Sequence, residues 1–374
     1  MKILIIAYTD LKMDPRPYRQ INCLNKLYSV YTVGKSNSGL EKSFFPIKKH
    51  GFIINMIRIF ILKMGFNKWY YWDKYKKNLL KLIDKNNFDL VIAHEIKTLP
   101  LALRIAKGSP VILDAHEYSP NNFDDDFLWR FFLKKHFIWL CKSYLPKIDK
   151  LVSVSPGIVD KYRSEFNTKS ILLTNAANYF KSLKPKIVSE TKIKIIYHGL
   201  LSKSRRIDLF IEMMRYLDND IYELTLMLVY GTYEKLLYKK LKKKAKGLNI
   251  KFEKPVKRKN LIKFSNKFDL GLCFFQPINF NLKYALPNKF FELIQSRVAV
   301  VIGPDIEMSK YVKKYKIGII SKDWSAKSLA NIIANTNKEQ IMFHKVQCHK
   351  NAMKLSSINN NKFFIKTIES YDKN

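Results

Sequence analysis

The stretch LKYALPNKFFELIQSRVAVVIG, residues 282–303, passes from a proline-led helical segment into an apolar β-rich run. Proline suits the first position of a helix, where its missing N–H costs nothing. Pro287 is therefore read as opening a helix in which Phe290, Phe291, Leu293 and Ile294 make the core face. VAVVIG, residues 298–303, then reads as a strand buried on both sides, and a helix feeding such a strand is the repeating step of a parallel sheet. Backbone N–H groups and Lys289 at the helix start can face an anion. Glu292, one turn in, would repel a bare phosphate but can accept two hydrogen bonds from a ribose diol. The same spacing also fits an ordinary acid on a core helix, and spacing alone leaves both readings open.

The same alternation extends outward in both directions. Downstream lies IGIIS (317–321); upstream lie DLGLCFF (269–275), NIKFEKPV (249–256), ELTLMLVYG (223–231) and KIKIIYHG (192–199). A polar, lysine-rich stretch, NYFKSLKPKIVSETK, precedes them and marks a boundary near 178–191. Before it the pattern runs through KILIIAY (2–8), SVYTVG (29–34), LVIAH (90–94), PVILDA (110–115), KLVSVS (150–155) and SILLTN (170–175). Helical segments fall between the runs, which predicts an α/β chain of two Rossmann-like, doubly wound parallel-sheet domains facing a cleft. The expected domains are 1–180, 190–350 and a C-terminal helix, 351–374, that packs back on the first.

Composition agrees with a folded chain of about two domains. Of 374 residues 47% are hydrophobic and 14% aromatic, with only 12 Gly and 13 Pro, which excludes disordered and collagen-like classes. The 68 Lys and Arg against 31 Asp and Glu leave a net charge of +37, a field that attracts polyanions such as nucleic acid, anionic lipid or phosphorylated substrates. The lysines are spread along the whole chain, as a lysine-rich compositional bias would also spread them. Cys23, Cys141, Cys273 and Cys348 are far apart, so neither a disulfide framework nor a zinc site is indicated and a reducing cytoplasm fits. MKILIIAYTD reads as a first strand and not a signal peptide. The apolar stretch 51–71 is broken by Arg58, Lys63 and Lys68, so no membrane-spanning helix is expected.

Motif absences narrow the chemistry. No GxxxxGK[ST] loop occurs, and IAYTDLKMDPRP stands where a dinucleotide-binding GxGxxG would follow the first strand. The run Asp124–Asp126 is read as acids at a helix start and not as a metal site. In YHGLLSKSRRIDLFIEMM, 197–214, Gly199 lets backbone approach a ligand, and Arg205 or Arg206 can grip a diphosphate bidentately. A solvated basic turn would look the same.

At this point the residues carry a resemblance. Gly199-Leu200-Leu201 with Arg205 and Ile207-Asp208, then LMLVYG, DLGLCFF, ALPNKFFELI and VAVVIG, are similar in order and spacing to the donor domain of the GT-B glycosyltransferases of family 4. DPRPYRQINCLNKLYSVYTVG, VIAHEIKTLPLALRIA, PVILDAHEYSP, KLVSVSPGIVDKY and LLTNAAN resemble that family's acceptor domain. The resemblance implies that Glu292 is the second carboxylate of an E-x7-E motif and holds the donor's ribose hydroxyls. It implies that Arg205 grips the donor diphosphate, with Gly199, Pro287, Asn288 and Lys289 around it, and that His116 lies near the transferred sugar. Asn175 matches the turn before the linker loosely. Tyr284 stands where the first glutamate of E-x7-E would be, and Leu200 where an arginine often sits.

The implied activity is metal-free, retaining transfer of a sugar, of hexosyltransferase type, from a nucleoside-diphosphate sugar, with no cofactor. Arg16, His94, Glu95, Glu117 and Tyr284 are further candidates for acceptor or sugar contacts. The expected acceptor is a growing glycan or lipid-linked glycan of capsule, O-antigen or lipooligosaccharide assembly. DFLWRFFLKKHFIWLCKSYL (126–145) and IRIFILKMGFNKWYYWDKYKK (57–77) mix aromatics with Lys and Arg and could lie on an anionic bilayer, which places the protein at the inner face of the plasma membrane. Half-buried domain helices would look the same. Two competitors remain: a nucleotide-sugar epimerase of the same architecture, and a basic nucleic-acid-binding protein, which the net charge would suit although no motif marks one.

Overall fold

The computed structural model describes residues 1–48, 51–67 and 74–372. The chain forms two compact units: Met1–Thr174 with Asn279–Asn281 and Asn360–Asn374, and Asn175–Ile278 with Leu282–Asn359.

In the first unit the described strands are β1 (Lys2–Ile6), β2 (Ser29–Gly34), β3 (Ser43–Pro46), β4 (Leu90–His94), β5 (Val111–Ala115), β6 (Lys150–Ser153) and β7 (Ser170–Leu172). They pair in the order β3-β2-β1-β4-β5-β6-β7, all parallel. The central runs, such as LVIAH and VILDA, are buried along their whole length, because helices cover both faces of a parallel sheet. β3 lies outside the expected strands. Its SFFP run is half-buried at the sheet edge, where neither a long apolar run nor the exclusion of proline is required.

The second unit repeats the plan with β8 (Ile193–Leu200), β9 (Tyr222–Val229), β10 (Ile250–Glu253), β11 (Leu270–Leu272), β12 (Ala299–Ile302) and β13 (Gly318–Ile320). Their order is β10-β9-β8-β11-β12-β13, again parallel. In each sheet the order reverses beside the first strand, between β1 and β4 and between β8 and β11. Open α/β sheets bind ligands at the carboxyl ends of such strands. That rule selects the turns after His94 and after Leu200.

Local signals set the helix starts. Asp14 accepts the N–H of Arg16, Asp126 that of Trp129, and Asp305 those of Glu307 and Met308. Of the acidic run, Asp126 caps the Phe127–Phe132 helix and Asp124 pairs with Lys134 at 2.6 Å. Pro287 stands one place outside the helix it was expected to open, as its cap, and Asn288 is the first helical residue. Proline's fixed φ serves either position, so sequence places the boundary only to within a residue. The tail helix runs over Ser357–Glu369 and is preceded by a separate helix, Lys338–Asn351. Phe364 and Ile368 join Ile3, Ile5 and Ile92 in the core of the first unit. All four cysteines are buried and free.

Candidate functional site

Two clusters of chemistry-bearing side chains stand at the carboxyl ends of the two sheets, one in each unit. In the first, the β4–β5 register sets His94 beside Asp114. Arg16, in the first turn of the Pro15–Leu24 helix, places Nε at 2.8 and 2.9 Å from the two Asp114 oxygens, and its Nη1 donates to the carbonyl of Leu173 at 2.8 Å. Gln20 donates to the same carboxylate. Arg16 is 4% exposed and Asp114 fully buried, so Arg16 is committed to this ion pair. Burial works to raise the Asp114 carboxyl, but Arg16, then His94 and His116, hold it below the usual carboxylate range.

His94 Nδ1 lies 3.0 Å from His116 Nε2, and His116 Nδ1 lies 3.2 Å from Glu95 Oε1. Both nitrogens of His116 are therefore engaged by neighbours, which fixes its ring. Burial lowers both histidines, His116 to about 3, so both are neutral near pH 7. Burial, then the charge of Glu117, raises Glu95 to about 8. Glu95 also holds φ 68° and ψ 146°, a backbone region that costs a non-glycine residue about 1–3 kcal/mol and is found most often at functional sites. His94, Asp114 and His116 bring donor atoms within 4.8 Å of one another. The Arg16 guanidinium already fills the carboxylate of that set and would repel a cation, so the cluster reads as an ion-paired network.

The raised Glu95 carboxyl has a thermodynamic signature. The folded chain keeps a proton that the unfolded chain has shed, so stability falls as pH rises from the ordinary glutamate value to about 8. Glu95→Gln is expected to flatten that fall by about 2 kcal/mol, less than full burial would give because the side chain keeps 29% exposure. Urea unfolding of both proteins across that range measures it.

The second cluster begins at the end of β8. Gly199 has φ 145°, open to glycine but not to other residues, and a Cβ there would stand 3.1 Å from the Lys289 ammonium. Lys289, in the first turn of the Asn288–Gln295 helix, is 8% exposed. Its Nζ sits 3.3 Å from the centre of the Tyr197 ring and 5.1 Å from that of Phe275, and the Arg205 guanidinium carbon sits 4.6 Å from Phe275. Two cations thus share one aromatic seat beneath the glycine turn. Burial, aided by Arg205, holds Lys289 well below the usual lysine range. His198 beside them is pulled down to about 3 by burial and then by Lys289, and its buried Nε2 has no hydrogen-bond partner.

Glu292, on the same helix as Lys289, lies 3.7 Å from an Arg258 nitrogen. Asn175 donates to the carbonyl of Leu286 at 3.1 Å, which braces the chain just before Pro287. Arg206, the other reading of the basic turn, is instead paired with Asp208 at 3.1 Å and bonded to Gln276. Tyr284 precedes the helix with Lys283 near its ring. The structure thus gathers Gly199, Arg205 and Lys289 into one cluster and His94, Glu95 and His116 into another. Glu117 acts on the histidine cluster through its charge on Glu95, and its carbonyl accepts from Tyr162. Asp114, Tyr197, His198 and Phe275 lie outside the expected site. Three of them sit in or directly after strands and read in sequence as core, and Asp114 reads as a strand residue.

The arrangement of the second cluster can do one thing well. Two poorly compensated cations and a helix N-terminus invite a polyanion, and the carboxylate of Glu292, one turn along, invites hydroxyl groups.

Comparison with known proteins bears on the fold. Residues 29–173 match the model of Glycosyltransferase Family 4. No curated protein sequence matches the chain. Among solved structures it is similar to HepE of Anabaena in complex with UDP, at 13% identity and a TM-score of 0.68 over 99% of this chain and 100% of that one. It is similar to WaaG, a glycosyltransferase involved in lipopolysaccharide biosynthesis, at 14% identity and a TM-score of 0.69 over the whole of both chains. Sucrose-phosphate synthase of Thermosynechococcus elongatus gives 10% identity and a TM-score of 0.72, covering 99% of this chain and 98% of that one. With its two Rossmann-like units the chain has the GT-B fold, and it resembles the family 4 glycosyltransferases.

Proposed function

We propose that the protein is a glycosyltransferase that moves a hexose from a nucleoside-diphosphate sugar to a glycan or lipid-linked glycan, with retention of configuration. The observation that carries this reading is the buried seat of Lys289 and Arg205 under Gly199, with Glu292 on the same helix. In it the diphosphate lies against Lys289, Arg205 and the helix N-terminus while Glu292 takes the ribose hydroxyls. The similar HepE structure is a complex with UDP, which makes UDP-sugars the first donors to try.

Transfer breaks the bond between the anomeric carbon and the diphosphate and forms one to the acceptor hydroxyl. The developing charge on the leaving oxygen is met by cations already in place, which needs neither a metal nor reorganisation. The acceptor's proton passes to the departing diphosphate, so no protein base is required. His116, neutral and fixed by His94 and Glu95, orients the sugar. The expected setting is a bacterial surface-glycan pathway such as capsule, O-antigen or lipooligosaccharide assembly.

Product analysis by NMR tests the reading. A new glycosidic bond with the donor's anomeric configuration, and one nucleoside diphosphate released per bond, is expected. Interconversion of the sugar without an acceptor would assign an epimerase instead. Glu292→Ala is expected to raise the donor KM about tenfold, the size of one charge-assisted hydrogen-bonded contact.

A further inference from the structure

The helix Phe52–Lys63 buries only Arg58 and Leu62. Ile59 and Ile61 are half-buried and its remaining apolar side chains face outward, with Phe52 80% and Phe60 60% exposed, and Phe66 beyond its end is 62% exposed. The helix Phe127–Phe132 lies beside it. Lys63 donates to the carbonyl of Phe131 at 2.9 Å and sits 3.5 Å from the centre of that ring, which joins the two helices. Phe127 and Leu128 on the second helix are 67% and 64% exposed. The two short helices thus present one continuous apolar face, a kind of surface that soluble proteins rarely leave uncovered without a use.

Charge selects what covers it. Neither residues 51–67 nor 127–145 contain an acidic residue, whereas Lys63, Arg130, Lys134 and Lys135 lie along or next to these helices. The carboxylates that lead into the second helix are engaged: Asp124 by Lys134 and Asn121, Asp125 by Asn279, Asp126 by the N–H of Trp129. A second copy of a chain of net charge +37 would bring more positive charge to a positive face. An anionic bilayer supplies both halves of the match, acyl chains for the aromatics and phosphate headgroups for the rim.

We propose that the joined outer faces of Phe52–Lys63 and Phe127–Phe132 form a docking surface for anionic lipid bilayers. This corrects the expected segments. In 126–145 the helix Lys134–Tyr144 is partly core, with His136, Phe137, Leu140 and Cys141 buried, while the exposed face starts at Phe52, upstream of 57. Residues 68–73 of the other segment lie outside the described residues. Among those residues no helix is long and apolar enough to cross a membrane, so docking rests on side-chain insertion.

Flotation with vesicles of phosphatidylcholine, with and without phosphatidylglycerol, tests the surface. The native chain is expected to float with phosphatidylglycerol vesicles, less so as salt rises. Phe60→Ser and Phe127→Ser are each expected to weaken that binding roughly tenfold, at an unchanged thermal midpoint because both side chains are exposed. Undiminished binding by the double variant, or no binding by the native chain, overturns the proposal. So does a lipid-free dimer that these changes dissociate, which would give the face to a second copy. Nucleotide-induced thermal shifts in the same variants report the donor site separately, so failure of the surface and failure of the transferase reading are distinguishable.

Discussion

Lys289→Met is expected to weaken nucleoside-diphosphate binding on the order of 100-fold or more and, in the absence of nucleotide, to raise the thermal midpoint of the protein. The two effects have one cause. Lys289 is buried against Tyr197 and Phe275 with its ammonium held well below the usual lysine range, so the folded chain bears the cost of a desolvated cation. Methionine keeps the volume and removes the charge, which relieves that cost. A bound diphosphate supplies the missing counter-charge, and removing one partner of such a buried pair costs about 2–5 kcal/mol.

The pH dependence follows. Between the lowered pKa and the ordinary lysine value the unfolded chain holds a proton that the folded chain lacks, so this residue makes stability rise with pH. Lys289→Met removes that slope. Calorimetric titration with nucleoside diphosphates and melting curves across pH measure both effects, and a variant that binds as tightly as the native chain would remove Lys289 from the site.

Asp114→Ala is expected to destabilise the first unit by about 3–5 kcal/mol, because it leaves the Arg16 guanidinium buried without its partner. Replacing both, as Arg16→Met with Asp114→Leu, is expected to recover most of that loss, since an apolar pair carries no uncompensated charge. Arg16 and His94 keep the Asp114 carboxyl below the ordinary value, so its contribution is present above that value and lost as pH falls through the folded pKa. Urea unfolding of the single and double variants reads the coupling. A single variant as stable as the native chain would show that Asp114 does not hold Arg16 in place.

The framework is legible because parallel strands buried on both faces are written as short uninterrupted apolar runs. VAVVIG and LVIAH say so without any long-range information, and β12 and β4 lie within those runs. β3 is not legible because an edge strand needs only one half-buried side, and SFFP carries no period. At the site, what a single turn encodes can be read: Gly199 with Arg205, and Lys289 with Glu292 one turn on. What tertiary pairing creates cannot. Tyr197 lies within β8 and Phe275 just past β11, and both look like core, yet together they seat two cations. Arg16 reads as a substrate contact because its partner Asp114 is 98 residues away. Glu95 stands out in sequence only as an acid after a strand, while its strained backbone and its contact with His116 depend on the β4–β5 register.

Thermal-shift titration of the native chain against a panel of nucleoside diphosphates, with Arg205→Ala and Glu292→Ala beside it, tests most directly whether the second unit holds a nucleotide-sugar. A ligand that binds only the folded state raises the midpoint by mass action. One nucleotide is expected to raise it by several degrees at about 100 times its Kd, with the shift cut to about half in Glu292→Ala, in line with its tenfold weaker binding, and lost in Arg205→Ala. A folded native chain whose midpoint no nucleoside diphosphate moves, or a shift that both variants keep, would contradict the account.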